Sequence, residues 1–311
     1  MSVPVIIANP GVNYPDQTCY VVGENGIFLR WLSPLITAMI RVDYCQTLQQ
    51  SSLEVLQEYA RIGIRPLPAK KFAQCFNFFF AAYKRFSAES GVLIYYHREE
   101  KRFLLYVPKQ RVSSCNIDYE HRPDVPGYVL IGSIHSHHTM NAYHSGTDRH
   151  DEDFFNGIHF TVGRINEGNF SVAASIVVNH VRFPVEPADF ICGLRKIKPW
   201  YAKRADEEDS AAAPIPETMS HIVAVPERTS TFRIESGRYR YQLDCPGTSD
   251  VSWRKCGFPK GWFGQVAKSS AWENIKDGVS RVFPRPSSSS PPATIHNVSL
   301  LGAGEETSCK H

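Results

Sequence analysis

The chain lacks the features that would place it in a membrane or in a redox pathway. No stretch approaches the ~18 uninterrupted apolar residues of a membrane-spanning helix, and no basic and apolar leader begins at Met1. The eight cysteines include no Cys-x-x-Cys pair, which argues against a zinc ribbon or a thioredoxin-like motif. The net charge of +3 over 311 residues is too small to indicate nucleic-acid binding by itself. These absences favour a cytoplasmic protein with free thiols and no membrane association.

A short segment after the apolar run at residues 128–134 concentrates side chains that can bind a metal ion. It contains His135, His137, Ser145 and Asp148 in that order. Two imidazoles and one carboxylate are what a catalytic zinc site takes from the protein, and the fourth position is left for water. Zinc lowers the pKa of that water toward neutrality and makes a nucleophile of it. The spacing therefore predicts a zinc site with two histidines and one aspartate; the alternative is a His-rich polar loop without a metal.

The apolar run predicts a strand that ends at the two histidines. Side chains at positions i and i+2 of a strand share a face, so His135 and His137 can point to one ion. The residues that follow suit a loop, and Ser145 or Thr147 can cap a helix that begins near Asp148. A loop of this length can return the carboxylate of Asp148 to the same ion.

The predicted chemistry also needs a base and a group that stabilises an oxyanion. Glu89 is the best candidate base because it stands just before the strand-like run at residues 92–97. If that strand lies beside residues 128–134, Glu89 is near the metal, where it can take the proton of the water and pass it to a leaving amine. Ser145, three residues before Asp148, would lie over the site and donate to the developing oxyanion.

A glutamate that opens a strand, followed by His-x-His-x7-Ser-x2-Asp, resembles the signature of the JAMM zinc metalloproteases, the JAB/MPN domain family. The resemblance covers roughly residues 65 to 185. In the family the metal-bearing strand usually ends Gly-Trp-x-His-Ser/Thr-His-Pro. Here Ser133 stands in place of the aromatic residue and His138 in place of the proline. These departures affect packing around the site rather than the ligands, and they favour a divergent prokaryotic member over a eukaryotic-type deubiquitinase.

The resemblance implies a function for each residue of the motif. His135, His137 and Asp148 correspond to the zinc ligands, Glu89 to the general acid and base, and Ser145 to the oxyanion-stabilising hydroxyl. The implied cofactor is Zn2+, and the implied activity is hydrolysis of a peptide or isopeptide bond. The implied fold is an α+β, α/β/α-like sandwich around a mixed β-sheet.

The spacing within the motif also bears on the substrate. Glu89 and His135 are 46 positions apart, and only about ten residues separate Asp148 from the next predicted strand. Neither interval has room for the large insertions with which linkage-specific deubiquitinases hold a second ubiquitin. The site is therefore expected to be open and to take an extended peptide tail, held by strand addition at a sheet edge.

The prokaryotic branch of the family implies a substrate with a tail, namely a ubiquitin-like or sulfur-carrier-like protein. The three-part layout of the chain also resembles that of a protein encoded in bacterial PRTRC cassettes. Those cassettes encode a ThiF-like, E1-related enzyme as well, which would then be a partner.

Hydrophobic patterns outside the motif predict the remaining elements. Three strands are expected within residues 17–43, where Asn25-Gly26 is a strong hairpin signal. Ser51 and Glu54 have capping-box spacing, which predicts a helix to about Ile62. Aromatic residues at spacings of three and four predict a helix over Ala69 to Phe86 that packs against a sheet. Further strands are predicted at residues 92–97, 102–107, 110–117, 128–137, 158–162 and 170–179, with a short polar helix from Asp148 to about Phe155.

Composition divides the chain into five parts. They are an α+β region at residues 1–64, the JAB/MPN-like domain at 65–190, a linker at 191–216, a small C-terminal region at 217–283 and a disordered tail at 284–311.

Two other functions remain open from the sequence. One is a non-catalytic MPN scaffold that binds partners within a larger assembly. The other is a DNA-associated protein related to RadC, although the Pro-Ser-Gly that usually follows the second histidine there is absent. Basic residues interleave with aromatic ones at residues 239–241 and 253–255, which can bind single-stranded nucleic acid or form a small β unit. His138 and His144 can line the cleft, bind a substrate carboxylate or simply face solvent.

Overall fold

The computed structural model describes residues 2–44, 52–119, 123–197, 226, 239–245 and 252–269. Within these residues the chain is a mixed α+β protein, which confirms the predicted class. The helices are α1 Ala69–Phe86, α2 Gly146–Glu152, α3 Pro187–Phe190 and α4 Lys260–Phe263. None of them combines the length and apolarity needed to traverse a bilayer.

The strands form four sheets in the described part of the chain. They are β1 Val5–Ile7, β2 Cys19–Gly23, β3 Gly26–Leu32, β4 Ile36–Asp43, β5 Tyr59–Ile62, β6 Gly91–His97, β7 Arg102–Tyr106, β8 Gln110–Val112, β9 Ile117–Tyr119, β10 Tyr128–Ser136, β11 Gly157–Gly163, β12 Ser171–Val178, β13 Val181–Val185, β14 Leu194–Ile197, β15 Arg240–Leu243 and β16 Val266–Lys268.

The N-terminal sheet has the order β1-β2-β3-β4-β5. β1 pairs parallel with β2, and the other neighbours are antiparallel. The predicted hairpin is confirmed, because Gly23 and Gly26 are partners at the turn that contains Asn25. The third predicted strand is also confirmed and corresponds to β4.

The helix predicted from Ser51 to Ile62 is wrong. Residues 52–58 are not helical, and β5 follows as the partner of β4; Ser51 lies outside the described residues. The Asn25 side chain donates to the carbonyl of Leu56 at 2.8 Å and accepts from its N–H at 2.9 Å, so a tertiary contact takes the backbone groups that a helix would use. The N-terminal region, predicted as α+β, therefore consists of strands and irregular chain in its described residues.

Helix α1 occupies the predicted residues and packs as the aromatic pattern indicated. Pro68 directly precedes its first residue, and Ser87 ends it in the left-handed region with a φ of 51°. The buried members of the stripe are Phe72, Cys75, Phe76 and Phe79, and the half-buried ones are Phe80, Tyr83 and Phe86.

The central sheet has six strands in the order β13-β12-β11-β10-β6-β7. β10 and β11 are parallel, and the other neighbours are antiparallel. The strands predicted at residues 92–97, 102–107, 158–162 and 170–179 are confirmed to within two residues. β13 was not predicted, and it completes one edge of this sheet.

The single strand predicted over residues 110–117 is instead a hairpin of β8 and β9. Its turn is closed where the N–H of Ser113 donates to the carbonyl of Asn116 at 2.9 Å. β16 adds parallel to β8, which gives the order β16-β8-β9. The hairpin is joined to the start of the central sheet, because the carbonyl of Ser113 accepts from the N–H of Glu89 at 2.9 Å.

The linker predicted at residues 191–216 begins too early. Ile191 and Leu194 are buried in the core, and β14 pairs with β15. The remainder of that segment, residues 198–216, lies outside the described residues, as does the predicted tail at 284–311. The folded part of the chain therefore extends to at least Ile197.

Residues 252–269 pack on α1 rather than forming a separate unit. Trp253 lies edge-on to Phe76, with ring centroids 5.0 Å apart, and Trp262 lies edge-on to Phe78 at 5.6 Å. Trp253 is only 2% exposed, so its ring is not available for stacking with bases. Among the described residues of the predicted C-terminal region, the basic and aromatic pattern is thus explained by core packing.

Candidate metal centre

Strand β10 delivers the two histidines from inside the central sheet. It lies between β6 and β11, so its last residues are paired on both edges. His135 and Ser133 share one face of the strand, and Ile134 enters the apolar core on the other. The pairing extends past the strand, because the N–H of His137 donates to the carbonyl of Val162 at 2.8 Å. Both imidazoles therefore project from backbone that is held by hydrogen bonds.

Gly132 allows β10 and β11 to approach each other just before the histidines. A Cβ at this position would lie 1.8 Å from the carbonyl oxygen of Ile158, closer than any real contact. A register shift between Leu130 and Gly132 accompanies this close approach. Such irregularities change the direction of the side chains that follow.

The N-terminus of α2 holds Asp148. Ser145 is the N-cap, and its Oγ accepts from the N–H of Asp148 at 3.1 Å. In return Oδ2 of Asp148 accepts from the N–H of Ser145 at 2.7 Å. This capping box selects Ser145 rather than Thr147 as the cap. The hydroxyl of Ser145 uses a lone pair in the cap, so its own proton stays available for donation.

The three predicted metal ligands come together as the spacing indicated. Nε2 of His135 lies 3.3 Å from Oδ1 of Asp148, and Nε2 of His137 lies 3.2 Å from Oδ2. The ligand atoms of the three residues all lie within 4.8 Å of one another, and the group can hold a metal ion. Both histidines are buried and Asp148 is half-buried.

The donor set of the group is two imidazole nitrogens and one carboxylate. Each imidazole lies within 3.3 Å of a different oxygen of Asp148. The residues present therefore suit a small divalent cation with nitrogen and oxygen ligands.

Glu89 lies beside the ligands, as the predicted strand pairing required. Gly91 at the start of β6 is the partner of His135, which places Glu89 at the same end of the sheet. Its Oε1 is 4.0 Å from Nε2 of His137, and its side chain is only 5% exposed. Gln110 reinforces this position, because its amide bonds both the N–H and the carbonyl of Gly91 at 2.9 Å.

The ionisable side chains of the site shift one another's pKa values. Burial raises the pKa of Glu89 to about 8, and the charge of Asp148 adds to this effect. Burial alone would lower the pKa of His135, but Asp148 raises it to about 9. Burial would raise the pKa of Asp148, yet the imidazoles of His135 and His137 hold it well below its ordinary value. Burial and the opposite charges of these side chains thus set the pKa values of the site together.

A pocket opens beside His135, Asp148 and Glu89. One wall is the β8–β9 hairpin, which contributes Cys115, Asn116, Ile117 and Tyr119. Asp151 and Glu152 of the α2 segment line another part of it. The pocket therefore combines a hairpin wall with an acidic side, and both meet at the candidate metal centre.

The two spare histidines of the motif have different surroundings. His138 has a φ of 35°, stacks on Tyr83 with ring centroids 5.5 Å apart, and places Nε2 2.9 Å from the carbonyl oxygen of Ser114. It thereby connects the end of β10 to the hairpin that walls the pocket. His144 is only 8% exposed and lies within a buried polar cluster, so neither histidine is simply a solvent-facing loop residue.

That buried cluster is the part of the site that sequence reasoning missed. It contains Glu152, Arg182 and His159, none of which was predicted to have a function. Burial would raise the pKa of Glu152, but His159, together with His144 and Arg182, lowers it below its ordinary value. The one signal in the sequence was the position of Glu152, four residues after Asp148 and therefore one helical turn further along the same face.

The chain was compared with models of known protein families and with curated proteins. No family model matches it, and no curated protein matches it either.

Proposed function

We propose that the chain is a zinc-dependent hydrolase of the JAMM type that cleaves a peptide or isopeptide bond. The observation that carries this proposal is the convergence of His135, His137 and Asp148, with Glu89 4.0 Å from one of the imidazoles. Three protein ligands leave one coordination position of a tetrahedral ion open, which is the arrangement of catalytic rather than structural zinc sites. The JAB/MPN fold is part of the same proposal.

The donor set favours zinc as the ion. Two imidazole nitrogens and one carboxylate oxygen suit zinc better than magnesium or calcium, which prefer oxygen ligands in larger coordination shells. When bound, zinc would lower the pKa of a water molecule and polarise the scissile carbonyl.

Glu89 and Ser145 supply the acid–base and oxyanion chemistry in this proposal. Glu89 takes a proton from the attacking water and delivers it to the leaving amine. Its burial excludes bulk water from that transfer, while the backbone contact with Ser113 fixes its position. Ser145 donates a hydrogen bond from its hydroxyl to the oxyanion. The hydroxyl oxygen accepts from the N–H of Asp148, so the hydroxyl proton is not used in the cap.

The pocket favours an extended substrate segment. β9 forms the edge of the sheet β16-β8-β9 and carries the pocket residues Ile117 and Tyr119. A flexible tail can lie along such an edge and bring one of its peptide bonds to the metal centre. We therefore propose the tail of a ubiquitin-like or sulfur-carrier-like protein as the substrate, with a ThiF-like, E1-related enzyme as a further partner.

Metal content tests the first part of the proposal. Elemental mass spectrometry of the purified chain should find about one zinc per chain, and the His135→Ala/His137→Ala variant should lose it. His150→Ala is the matched control, because His150 is an exposed histidine on the ligand-bearing helix α2. Folded wild-type protein that binds no metal would contradict the proposal and favour a non-catalytic scaffold.

Cleavage tests the second part. Glu89→Gln should retain zinc but lower kcat/KM by about 10²–10⁴, because the amide cannot take up the proton of the water. The rate can be followed with a fluorogenic peptide whose sequence is the tail of a ubiquitin-like protein. Wild-type activity in the zinc-loaded Glu89→Gln variant would remove Glu89 from the mechanism.

A further inference from the structure

A buried ionic cluster adjoins the metal centre. Nη2 of Arg182 donates to Oε2 of Glu152 at 2.7 Å, and both side chains are at most 6% exposed. Nδ1 of His144 lies 3.4 Å from the same carboxylate oxygen, and Nδ1 of His159 lies 3.7 Å from Oε1. Arg182 also donates to the hydroxyl of Ser175. The carboxylate is thus surrounded by cationic and polar groups from β11, β12, β13 and the loop before α2.

The cluster attaches helix α2 to the sheet. The helix has seven residues, and its one buried side chain is that of Glu152. Isolated helices shorter than about 12–15 residues are marginal in water, so tertiary contacts must hold α2 in place. Here the contact is an ion pair rather than an apolar face. The same helix carries Asp148, one turn before Glu152 and on the same side.

Thr161 lies between the cluster and the ligand His135. Its Oγ1 lies 3.4 Å from Nε2 of His135 and 3.4 Å from Nδ1 of His144, which in turn contacts Glu152. Nε2 is the atom of His135 that faces Asp148, so it is the nitrogen that would bind the ion and not one that a neighbouring hydroxyl can hold. The connection that carries the inference is therefore the one through α2 to Asp148.

The cluster is not suited to a second metal ion. The guanidinium of Arg182 already neutralises Glu152, and a further cation would lie next to this buried positive charge. Among the described residues, the one group whose ligand atoms converge for metal binding is the centre of His135, His137 and Asp148. A role in support of that centre therefore accounts for the placement of the cluster.

We propose that Glu152 and Arg182 are positioning residues that set the metal affinity of the centre by fixing Asp148. Neither residue belongs to the group that could hold the ion. The inference rests on the metal site of the proposed function, but not on the hydrolytic reaction. It predicts that metal affinity depends on the ion pair beyond what the pair contributes to folding. Substitution of a residue that orients a metal ligand without binding the ion typically weakens metal affinity by about 10–100-fold.

Zinc affinity and stability, measured on the same full-length variants, test this inference. The variants are Glu152→Gln, Arg182→Met and the double variant, with Tyr241→Phe as a control. Tyr241 donates a half-buried hydrogen bond to Glu186 at 2.7 Å and belongs to neither the cluster nor the metal centre. The zinc Kd is measured by competition with a chromophoric chelator, and unfolding by denaturant is followed in excess chelator.

All three cluster variants should bind zinc about 10–100-fold more weakly, and Tyr241→Phe should match the wild type. Each single variant leaves one buried group without its partner, so the double variant should regain much of the lost stability. It should not regain zinc affinity, and the Co2+-loaded variants should have altered visible absorption spectra. If a single variant does not fold, the double variant carries the test.

Three results would overturn the inference. Wild-type zinc affinity in all folded cluster variants would remove the positioning role and leave the proposed function intact. Recovery of affinity together with stability in the double variant would reduce the pair to a purely structural element. A wild-type chain that binds no zinc would overturn the inference and the proposed function together.

Discussion

At the scale of single residues, the buried His159 makes stability depend on pH. Burial lowers its pKa from 6.5 to about 4, so the folded protein keeps it neutral. Its contacts agree, because Nε2 faces the carbonyl of Phe155 at 2.8 Å and Nδ1 faces the hydroxyl of Ser133 at 2.8 Å. The unfolded chain takes up a proton near pH 6.5, so the contribution of His159 is complete above that pH and is lost as the pH falls toward 4.

A variant without this titration isolates the effect. His159→Gln keeps an amide donor and acceptor in the same place but does not bind a proton. The stability advantage of the wild type over the variant should shrink by about 2 kcal/mol between pH 7 and pH 5. Unfolding by urea, measured in excess chelator at both pH values, gives this difference. An advantage that is the same at both pH values would mean that His159 is not held neutral in the folded protein.

The residues of the metal centre and of the buried cluster differ in how far the sequence could predict them. His135, His137 and Asp148 were predictable because strand geometry and a short loop determine their proximity. Arg182 was not, because it lies on β13, thirty residues from its partner Glu152. A buried ion pair between distant segments depends on sheet order and register, and hydrophobic periodicity carries no information about either.

At the scale of elements, the start of α2 has both a structural and a chemical role. Ser145→Ala removes the cap and should cost about 1 kcal/mol of stability, whereas glycine at an N-cap costs only a few tenths. If the hydroxyl also stabilises the oxyanion, both variants should lose about 10²–10³ in kcat. Denaturant unfolding and kcat, measured on zinc-loaded Ser145→Ala and Ser145→Gly, separate the two roles. A Gly variant that retains wild-type kcat would leave Ser145 as a cap alone.

Elements with strong local signals were predictable, and elements held by tertiary contacts were not. Helix α1 has an aromatic stripe at helical spacing over residues 69–86, and a stripe of that length indicates a helix rather than a strand. The capping-box spacing of Ser51 and Glu54 is a short signal, and the contact between Asn25 and Leu56 overrides it. The hairpin of β8 and β9 was read as one strand because its turn at Ser113 to Asn116 has no glycine or proline.

At the scale of the whole molecule, the N-terminal sheet shares its core with the part of the chain that holds the metal centre. Ile36, Ala38 and Ile62 of that sheet belong to the same buried cluster as Phe72 and Phe76 of α1. The sequence predicted a separate region at residues 1–64 because the proline-containing segment at residues 65–68 follows it. Composition marks such a break, but it does not show whether apolar faces on its two sides pack together.

This shared core predicts that the metal-bearing part cannot fold without the N-terminal sheet. Deletion of residues 1–62 should expose the apolar face of α1 and give a chain that binds the dye ANS and loses its near-ultraviolet circular dichroism. Within the full chain, Ile62→Ala should cost about 2–5 kcal/mol, and Val5→Ala, at a position that is 62% exposed, should cost little. Fluorescence and far-ultraviolet circular dichroism should report the same unfolding transition in both variants, because one core unfolds as a unit. A deletion fragment that is monomeric and unfolds cooperatively would show instead that the core around α1 is sufficient by itself.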